Sequence, residues 1–271
     1  MASNGSTTDS VVLRLQAEQS DIASLNDAYA KMQQISPTDN RSWIYWAGFH
    51  GFPNYYCWHH GRAGADGSRF PYNLFLPWHR AYLLYWENAA RDQNPNAVLP
   101  WWDWTAQTGV PAAFSEPQLP DGSPNALFSG PLPDMPDSPA RPTRRWPGDP
   151  AQLPSPEQID SLLGLTSYED FQTQIEDVHD FIHGWMGGVN PDDNSQGGDV
   201  GMIATAAFDP LFWAHHCTID RVWYLWQLRQ GITNIPPAQL GLVLTPFRYT
   251  VRDVLDIRQL GYEYATSVTV P

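Results

Sequence analysis

The histidines constrain this chain more than any other feature. His179 and His183 stand four residues apart in a segment of helical periodicity, so both imidazoles leave the same face of a helix one turn apart. Two rings placed in this way can share one metal ion. A second helical run, opened by Asp209 and Pro210, brings His215 and His216 into an aromatic segment. The spacing therefore predicts one complete three-histidine site.

A second site is predicted in the first half of the chain. The eight histidines lie at positions 50, 59, 60, 79, 179, 183, 215 and 216. Trp43, Ala47 and His50 share one predicted helix face, and His79 shares another with Leu83 and Trp86, which directs both histidines toward the core. A lone histidine on an apolar face is usually a hydrogen-bonded core residue, but four clusters in one chain favour two three-histidine sites with two histidines to spare.

Periodicity and capping residues predict a mainly α-helical fold. Helices are predicted from Ile22 to before Pro37, from Ser42 or Asn40 to His50, from Phe75 to about Glu87, from Pro156 to Leu163, from a Thr166 and Glu169 capping box to Gly187, and from Pro210 to about Gln230. A proline-rich stretch at about 106–156 is predicted to be an ordered surface excursion, with a disordered linker as the alternative. We expect one domain over residues 1–271.

Charge and termini exclude several classes of function. The net charge of −14 argues against nucleic acid or an anionic membrane surface as a partner, because phosphates attract an excess of Lys and Arg. Cys57 and Cys217 allow at most one disulfide. The polar N-terminus does not resemble a secretory signal, and no apolar stretch is long enough to span a bilayer. The localisation stays open between the cytoplasm and a mature secreted form.

The donor set favours copper. Three neutral imidazoles leave an open coordination position, which a catalytic metal needs. The absence of carboxylates at ligand spacing argues against a two-histidine, one-carboxylate iron site. Two all-nitrogen sites on facing helices of a bundle would form a dinuclear centre that can cycle between Cu(I) and Cu(II).

Two longer motifs carry a family resemblance. The segment FLPWHRAYLLYWE at 75–87 resembles the first copper signature of the tyrosinase and catechol oxidase family of type 3 copper proteins, and DPLFWAHHCTID at 209–220 resembles the second. The likeness continues at 99–105, at 179–188 and at Tyr262 and Tyr264. The resemblance implies a four-helix bundle that holds two copper ions, with dioxygen as co-substrate.

The resemblance also implies which histidines bind copper. By motif position His79, His179, His183 and His216 correspond to ligands, and His215 is interpreted as a packed neighbour. His50 matches the first ligand of the first site. The second ligand departs from the family pattern, because Phe70 stands nine residues before His79 where the family has histidine.

An insertion of about ten residues before Phe70 explains this departure and moves the second ligand back to His59 or His60. His59 is preferred, since Cys57 stands two residues earlier, as in family members whose cysteine forms a thioether to this histidine. An unmodified buried thiol is the alternative.

Three further positions are expected to tune the site. Glu176 lies one turn before His179 and Asp180, so this carboxylate pair can hold a water molecule and take the proton of an incoming phenol; a solvated helix edge is the alternative. Many relatives have Asn where Asp180 stands. Ile203 falls where a bulky aromatic residue gates some plant enzymes. Gly184 falls where several bacterial enzymes place Arg, and it provides no anchor for a carboxylate.

The expected activity is ortho-hydroxylation of monophenols and oxidation of o-diphenols to o-quinones, with melanin biosynthesis as the associated process. The alternatives are a catechol oxidase or o-aminophenol oxidase without monophenolase activity, a dioxygen carrier resembling the hemocyanins, and a structural zinc protein. The carrier is disfavoured because the chain ends soon after the GYEY motif at 261–264, which leaves no covering domain. The expected partners are small phenols and a copper-delivery protein, and the expected state is a monomer or homodimer.

Overall fold

The fold is mainly α-helical. The computed structural model describes residues 11–59, 70–195 and 197–265. Within them the helices are α1 (Ile22–Gln34), α2 (Trp43–His50), α3 (Phe75–Arg91), α4 (Ala112–Ser115), α5 (Pro156–Leu163), α6 (Tyr168–Gly187) and α7 (Pro210–Gln230). The strands are β1 (Val12–Arg14), β2 (Pro131–Leu132), β3 (Arg141–Pro142) and β4 (Tyr262–Tyr264). This architecture confirms the predicted fold class.

Capping side chains set most helix starts where the sequence predicts them. Ser42 accepts a hydrogen bond from the Tyr45 amide at the start of α2, and Asp209 accepts one from the Leu211 amide at the start of α7. Ser155 forms a complete capping box with Gln158 at the start of α5. These caps fix the ends of helices that carry His50 and His216.

The predicted capping box at the start of α6 was wrong. The structure places the cap one residue later, at Ser167, whose hydroxyl accepts from the Asp170 amide. This start puts Tyr168 at the first helical position, where its ring is buried and its hydroxyl donates to Gln172. Thr166 instead lies in the preceding loop, and its carbonyl accepts from Asn234.

An aromatic core holds α3 against α7. The rings of Trp86 on α3 and Trp213 on α7 stack at a centroid distance of 3.5 Å and an interplanar angle of 12°. Trp43 on α2 meets Trp86 edge to face at 4.6 Å. Large rings in such contacts bury much apolar area and restrict how the helices can shift. The three helices are thereby fixed relative to one another.

A buried ionic network ties the first and last strands to this core. Strand β1 pairs in parallel with β4, and Arg14 of β1 contacts Glu87 of α3 at 3.0 Å. Arg80 of α3 contacts Asp220 of α7 at 2.5 Å, and the hydroxyls of Tyr262 and Tyr264 donate to the same carboxylate. Each buried charge thus has a partner, which its desolvation requires.

The proline-rich stretch packs on the helices through a few buried side chains, among them Phe114, Leu127 and Leu132. Strands β2 and β3 form an antiparallel pair within it. Arg145 contacts the capping carboxylate of Asp209, so the stretch is joined to the start of α7. In the described part of the chain no helix is both long and apolar enough to cross a bilayer.

Candidate metal centre

Two groups of histidines converge between α2, α3, α6 and α7. The first cluster contains His50, His59 and His79, and the second contains His179, His183, His215 and His216. Within each cluster one potential ligand atom of every histidine lies within 4.8 Å of the others. His60, the alternative to His59, lies outside the described residues.

The second cluster has three converging Nε2 atoms. The Nε2 of His216 lies 3.3 Å from the Nε2 of His179 and 3.3 Å from that of His183. Their spacing follows from the one-turn separation on α6, which faces α7 at this point. Three imidazole nitrogens at such distances can bind one tetrahedral ion through a shared centre and leave one position open.

Backbone carbonyls orient several of these rings. The Nδ1 of His183 is 2.5 Å from the carbonyl oxygen of Val200, and the Nδ1 of His79 is 2.9 Å from that of Phe75. The Nδ1 of His50 is 3.2 Å from the carbonyl oxygen of Ile203. A carbonyl accepts only from N–H, so Nδ1 carries the proton in these rings and the Nε2 lone pair is left to bind a metal.

The inward nitrogens of the first cluster fit a metal ion. The Nε2 atoms of His50 and His79 are buried and have no hydrogen-bond partner among the described residues. A buried acceptor without a partner costs about 1–3 kcal/mol, and a metal ion would remove that cost. This unsatisfied pair is the structural observation that favours a bound ion over a purely structural role.

The two clusters lie side by side. The rings of His79 and His216 stack at 4.4 Å with an angle of 16°, and those of His59 and His179 stack at 5.3 Å with an angle of 23°. One ring in each pair belongs to each cluster. The arrangement therefore fits two ions in one centre, and the donor chemistry fits copper.

Burial keeps the imidazoles neutral. Desolvation, assisted by neighbouring histidines, holds the pKa of His50, His79, His179, His215 and His216 well below the ordinary value of 6.5. Desolvation also lowers the pKa of His183 to about 4. Neutral imidazole is the form that ligates, so the folded chain presents its ligands ready for metal at neutral pH.

A cavity of about 300 Å³ opens over these rings. Its lining contains His50, His59, His179, Asp180, His183, Gly184, Val200, Gly201, Met202, Ile203 and Ala206. The side chains of Asp180 and Ile203 are 46% and 54% exposed, respectively. The structure thus brings both of these sequence-predicted residues to the cavity mouth.

Glu176 occupies a different position from Asp180. Its side chain is fully buried, accepts a hydrogen bond from the Nδ2 of Asn73, and is absent from the described cavity lining. Asn73 also accepts from the Phe75 amide and so joins the start of α3 to α6. Sequence reasoning missed Asn73, although an Asn two residues before a helix start signals such a turn.

Two positions near the clusters have distinct surroundings. Phe70, which stands where the family has a ligand, is 50% exposed and packs edge to face on Trp58 at 5.4 Å. His215 is fully buried, stacks on His179 at 5.3 Å, and has no hydrogen-bond partner for either ring nitrogen among the described residues. Both a packing role and a ligand role are compatible with that position.

Comparison with known proteins identifies relatives of one family. Residues 40–229 match the family described as the common central domain of tyrosinase. The chain is 29% identical to unit G of a Helix pomatia hemocyanin over 90% of this chain and 63% of that protein. It is 30% identical to a Streptomyces glaucescens tyrosinase over 64% of this chain and 68% of that one.

A solved structure shows the same fold. A tyrosinase from Burkholderia thailandensis superposes with a TM-score of 0.75 at 22% identity, covering 94% of this chain and 74% of that one. The chain thus spans less than two thirds of the hemocyanin unit and about two thirds to three quarters of these tyrosinases.

Proposed function

Because the chain belongs to the tyrosinase family of type 3 copper proteins, we propose that it is a dioxygen-dependent phenol oxidase. Its reactions would be ortho-hydroxylation of monophenols and oxidation of o-diphenols to o-quinones. The observation that carries this proposal is the cavity that opens directly onto both histidine clusters, since a phenol must reach the metals to be oxidised.

The histidines divide between two copper ions. His50, His59 and His79 would hold one ion, and His179, His183 and His216 would hold the other. When bound, the copper pair supplies dioxygen binding and the electron transfer that amino-acid side chains cannot perform. The protein supplies fixed neutral imidazoles and the aromatic surroundings described above.

Asp180 is suited to accept the phenol proton. Its Oδ1 lies 2.9 Å from the Nδ1 of His179, and its partly exposed side chain faces the cavity. The first contact holds the carboxylate in place and fixes the tautomer of a ligand. A carboxylate so held can accept a proton directly or through one water. Glu176, which accepts from Asn73, joins the same helix to the start of α3.

Ile203 leaves the cavity open. Its carbonyl oxygen orients His50, while the residue is 54% exposed and lines the cavity. An aliphatic residue here permits a flat aromatic ring to enter edge-on. The apolar neighbours Val200, Met202 and Ala206 add a surface on which that ring can pack.

A dioxygen carrier is the second candidate. The hemocyanin unit aligns with 90% of the chain, whereas the Streptomyces glaucescens tyrosinase aligns with 64%. A carrier would use the same clusters without turning over phenols. The open cavity supports the enzyme over the carrier.

Oxygen uptake tests the proposal. Copper-loaded protein would be assayed with 4-methylphenol and with 4-methylcatechol, which are uncharged. Uptake with both, the monophenol after a lag, supports the proposed activity. Uptake with the catechol alone would assign a catechol oxidase or a related o-aminophenol oxidase. No uptake with either, together with an oxygen-dependent near-ultraviolet absorption band, would overturn the proposal in favour of a carrier.

A further inference from the structure

We propose that Arg141 and Asp199 form a positioning pair for both copper sites. Their ion pair anchors one stretch of backbone, the bridging segment (residues 199–205), which contacts one histidine of each cluster. The inference concerns how the chain holds copper and does not depend on the phenol oxidase activity. Either can therefore fail without the other.

The bridging segment supplies a hydrogen-bond acceptor to each cluster. The carbonyl oxygen of Val200 lies 2.5 Å from the Nδ1 of His183 in the second cluster. The carbonyl oxygen of Ile203 lies 3.2 Å from the Nδ1 of His50 in the first cluster. Each bond fixes the ring and leaves its Nε2 for the metal. A displacement of this one segment would thus disturb a ligand of both ions at once.

The position of the bridging segment is set at its ends. Met202 and Ile203 in its middle are exposed, so they bury little apolar area that could hold it. Asp199 and Thr205 at its two ends are buried. The Oγ1 of Thr205 donates to the carbonyl oxygen of Asp199 at 2.7 Å, which closes the segment into a loop.

Asp199 joins this loop to the proline-rich stretch. Its two carboxylate oxygens accept from the Arg141 guanidinium at 2.7 and 2.8 Å, a bidentate pair. One of them also accepts from the Arg144 amide at 2.6 Å. The carboxylate is buried, whereas Arg141 is partly exposed. Without the guanidinium, the bridging segment should shift so that water can reach the carboxylate.

His79 provides an internal control, because its Nδ1 is 2.9 Å from the carbonyl oxygen of Phe75 on the same helix. That contact does not involve the bridging segment. Nitrogen-15 NMR of the copper-free chain distinguishes imidazoles protonated at Nδ1 from those protonated at Nε2. Arg141→Met should shift His50 and His183 away from the Nδ1-protonated form and leave His79 unchanged.

Copper affinity gives a second readout. Arg141→Met should raise the dissociation constants of both copper ions by about tenfold or more, which is typical when a group that orients a ligand is removed. Arg144→Met is the matched control. It removes the same charge from the same stretch, but its side chain is exposed and its amide contact with Asp199 remains. Both affinities should therefore stay unchanged in this control.

Thr205→Val tests the same segment if Arg141→Met does not fold. It removes the hydrogen bond that closes the loop and keeps the side-chain volume. The NMR shifts of His50 and His183 should have the same direction as in Arg141→Met, and both ions should bind severalfold more weakly.

Three results would overturn the positioning role. They are unchanged signals of His50 and His183 in the folded variants, an equal shift of His79, and weaker binding of one ion only. Equal losses of affinity in Arg141→Met and Arg144→Met would also contradict it, since charge and not the contact would then be responsible. No oxygen uptake by the unmodified, copper-loaded protein with 4-methylcatechol would refute the oxidase function and leave the positioning role standing.

Discussion

The partner of each Nδ1 atom decides which nitrogen a histidine can offer to a metal. For His50, His79 and His183 that partner is a backbone carbonyl. The sequence predicts that these residues are ligands through their motifs and spacing, but it cannot predict the tautomer. A carbonyl has the same chemistry at every residue, so only the folded backbone shows that Ile203 and Val200 supply two of the acceptors.

Separate substitution of each of the two adjacent histidines on α7 tests the ligand assignment. His216→Gln should lower bound copper from two ions to about one per chain. The variant removes one of the three converging nitrogens, and the two that remain, on His179 and His183, should not hold the second ion tightly. The matched variant His215→Gln should retain both. Metal analysis after dialysis measures the copper bound per chain. Equal copper loss in the two variants would show that His215 is also a ligand.

A thioether between Cys57 and His59 is expected in copper-loaded protein exposed to dioxygen. One S–C bond would form as the thiol and the ring each lose one hydrogen, dioxygen being the oxidant, so the intact mass should fall by about two hydrogens. Burial raises the pKa of the Cys217 thiol to about 12, so native Cys217 should resist alkylation.

After denaturation Cys217 alone should react, giving one alkyl group per chain. Two alkyl groups on denatured, copper-loaded protein would show that Cys57 is unmodified. Protein kept without copper is the control and should accept two.

At the scale of elements, short-range signals were sufficient for most helices but could not predict how the strands pair. Ser42, Ser155 and Asp209 cap the helices as predicted, because capping depends on residues within one turn. At α6 the adjacent residues Thr166 and Ser167 could each cap the helix. The observed start, with Ser167 as the cap, is the one that buries Tyr168. The parallel pairing of β1 with β4 joins three-residue segments about 250 residues apart, for which no local pattern exists.

The buried ion pair between α3 and α7 should dominate their association. Arg80→Met would remove the nearer of the two charged partners of the buried Asp220 carboxylate and leave only Arg14 at 3.5 Å, so we expect a loss of about 3–5 kcal/mol in the free energy of unfolding. Arg229→Met is the control, because Arg229 pairs with Asp160 on the surface, and should cost less than about 1 kcal/mol.

Urea unfolding of the copper-free variants, followed by tryptophan fluorescence, compares these two free energies. Similar losses in both variants would contradict the importance assigned to the buried pair.

At the scale of the whole molecule, the two clusters place imidazole rings in the middle of an aromatic core. Composition shows many tryptophans and few charges, but not that the histidines meet at one point, because their convergence depends on how four helices pack. Helical spacing predicted that histidines of α6 and α7 share a site, and the resemblance of two motifs identified which histidines are ligands. The cavity over the rings followed only from the packed structure.

The copper-free protein should lose stability below about pH 6.5. The unfolded chain binds protons on its histidines near that pH, whereas His183 in the folded state binds one only near pH 4, and the other buried histidines of the clusters also have lowered pKa values. The unfolded state therefore gains more protons as the pH falls. His183 alone should contribute a loss of about 3 kcal/mol by pH 4.

Thermal unfolding of the copper-free protein from pH 7.5 to pH 4.5 measures this dependence. Bound copper should raise the unfolding temperature near neutral pH, since it binds the folded state. An unfolding temperature of the copper-free protein that stays constant or rises on acidification would contradict the predicted direction.

The pairing of β1 with β4 also sets an order of events during synthesis. Arg14 is among the first described residues to leave the ribosome, yet its Glu87 partner emerges later and its contacts with Asp220 and Tyr264 come near the end of the described chain. Strand β1 must therefore wait for its partner while about 250 residues are synthesised, and this part of the core closes only when β4 has emerged.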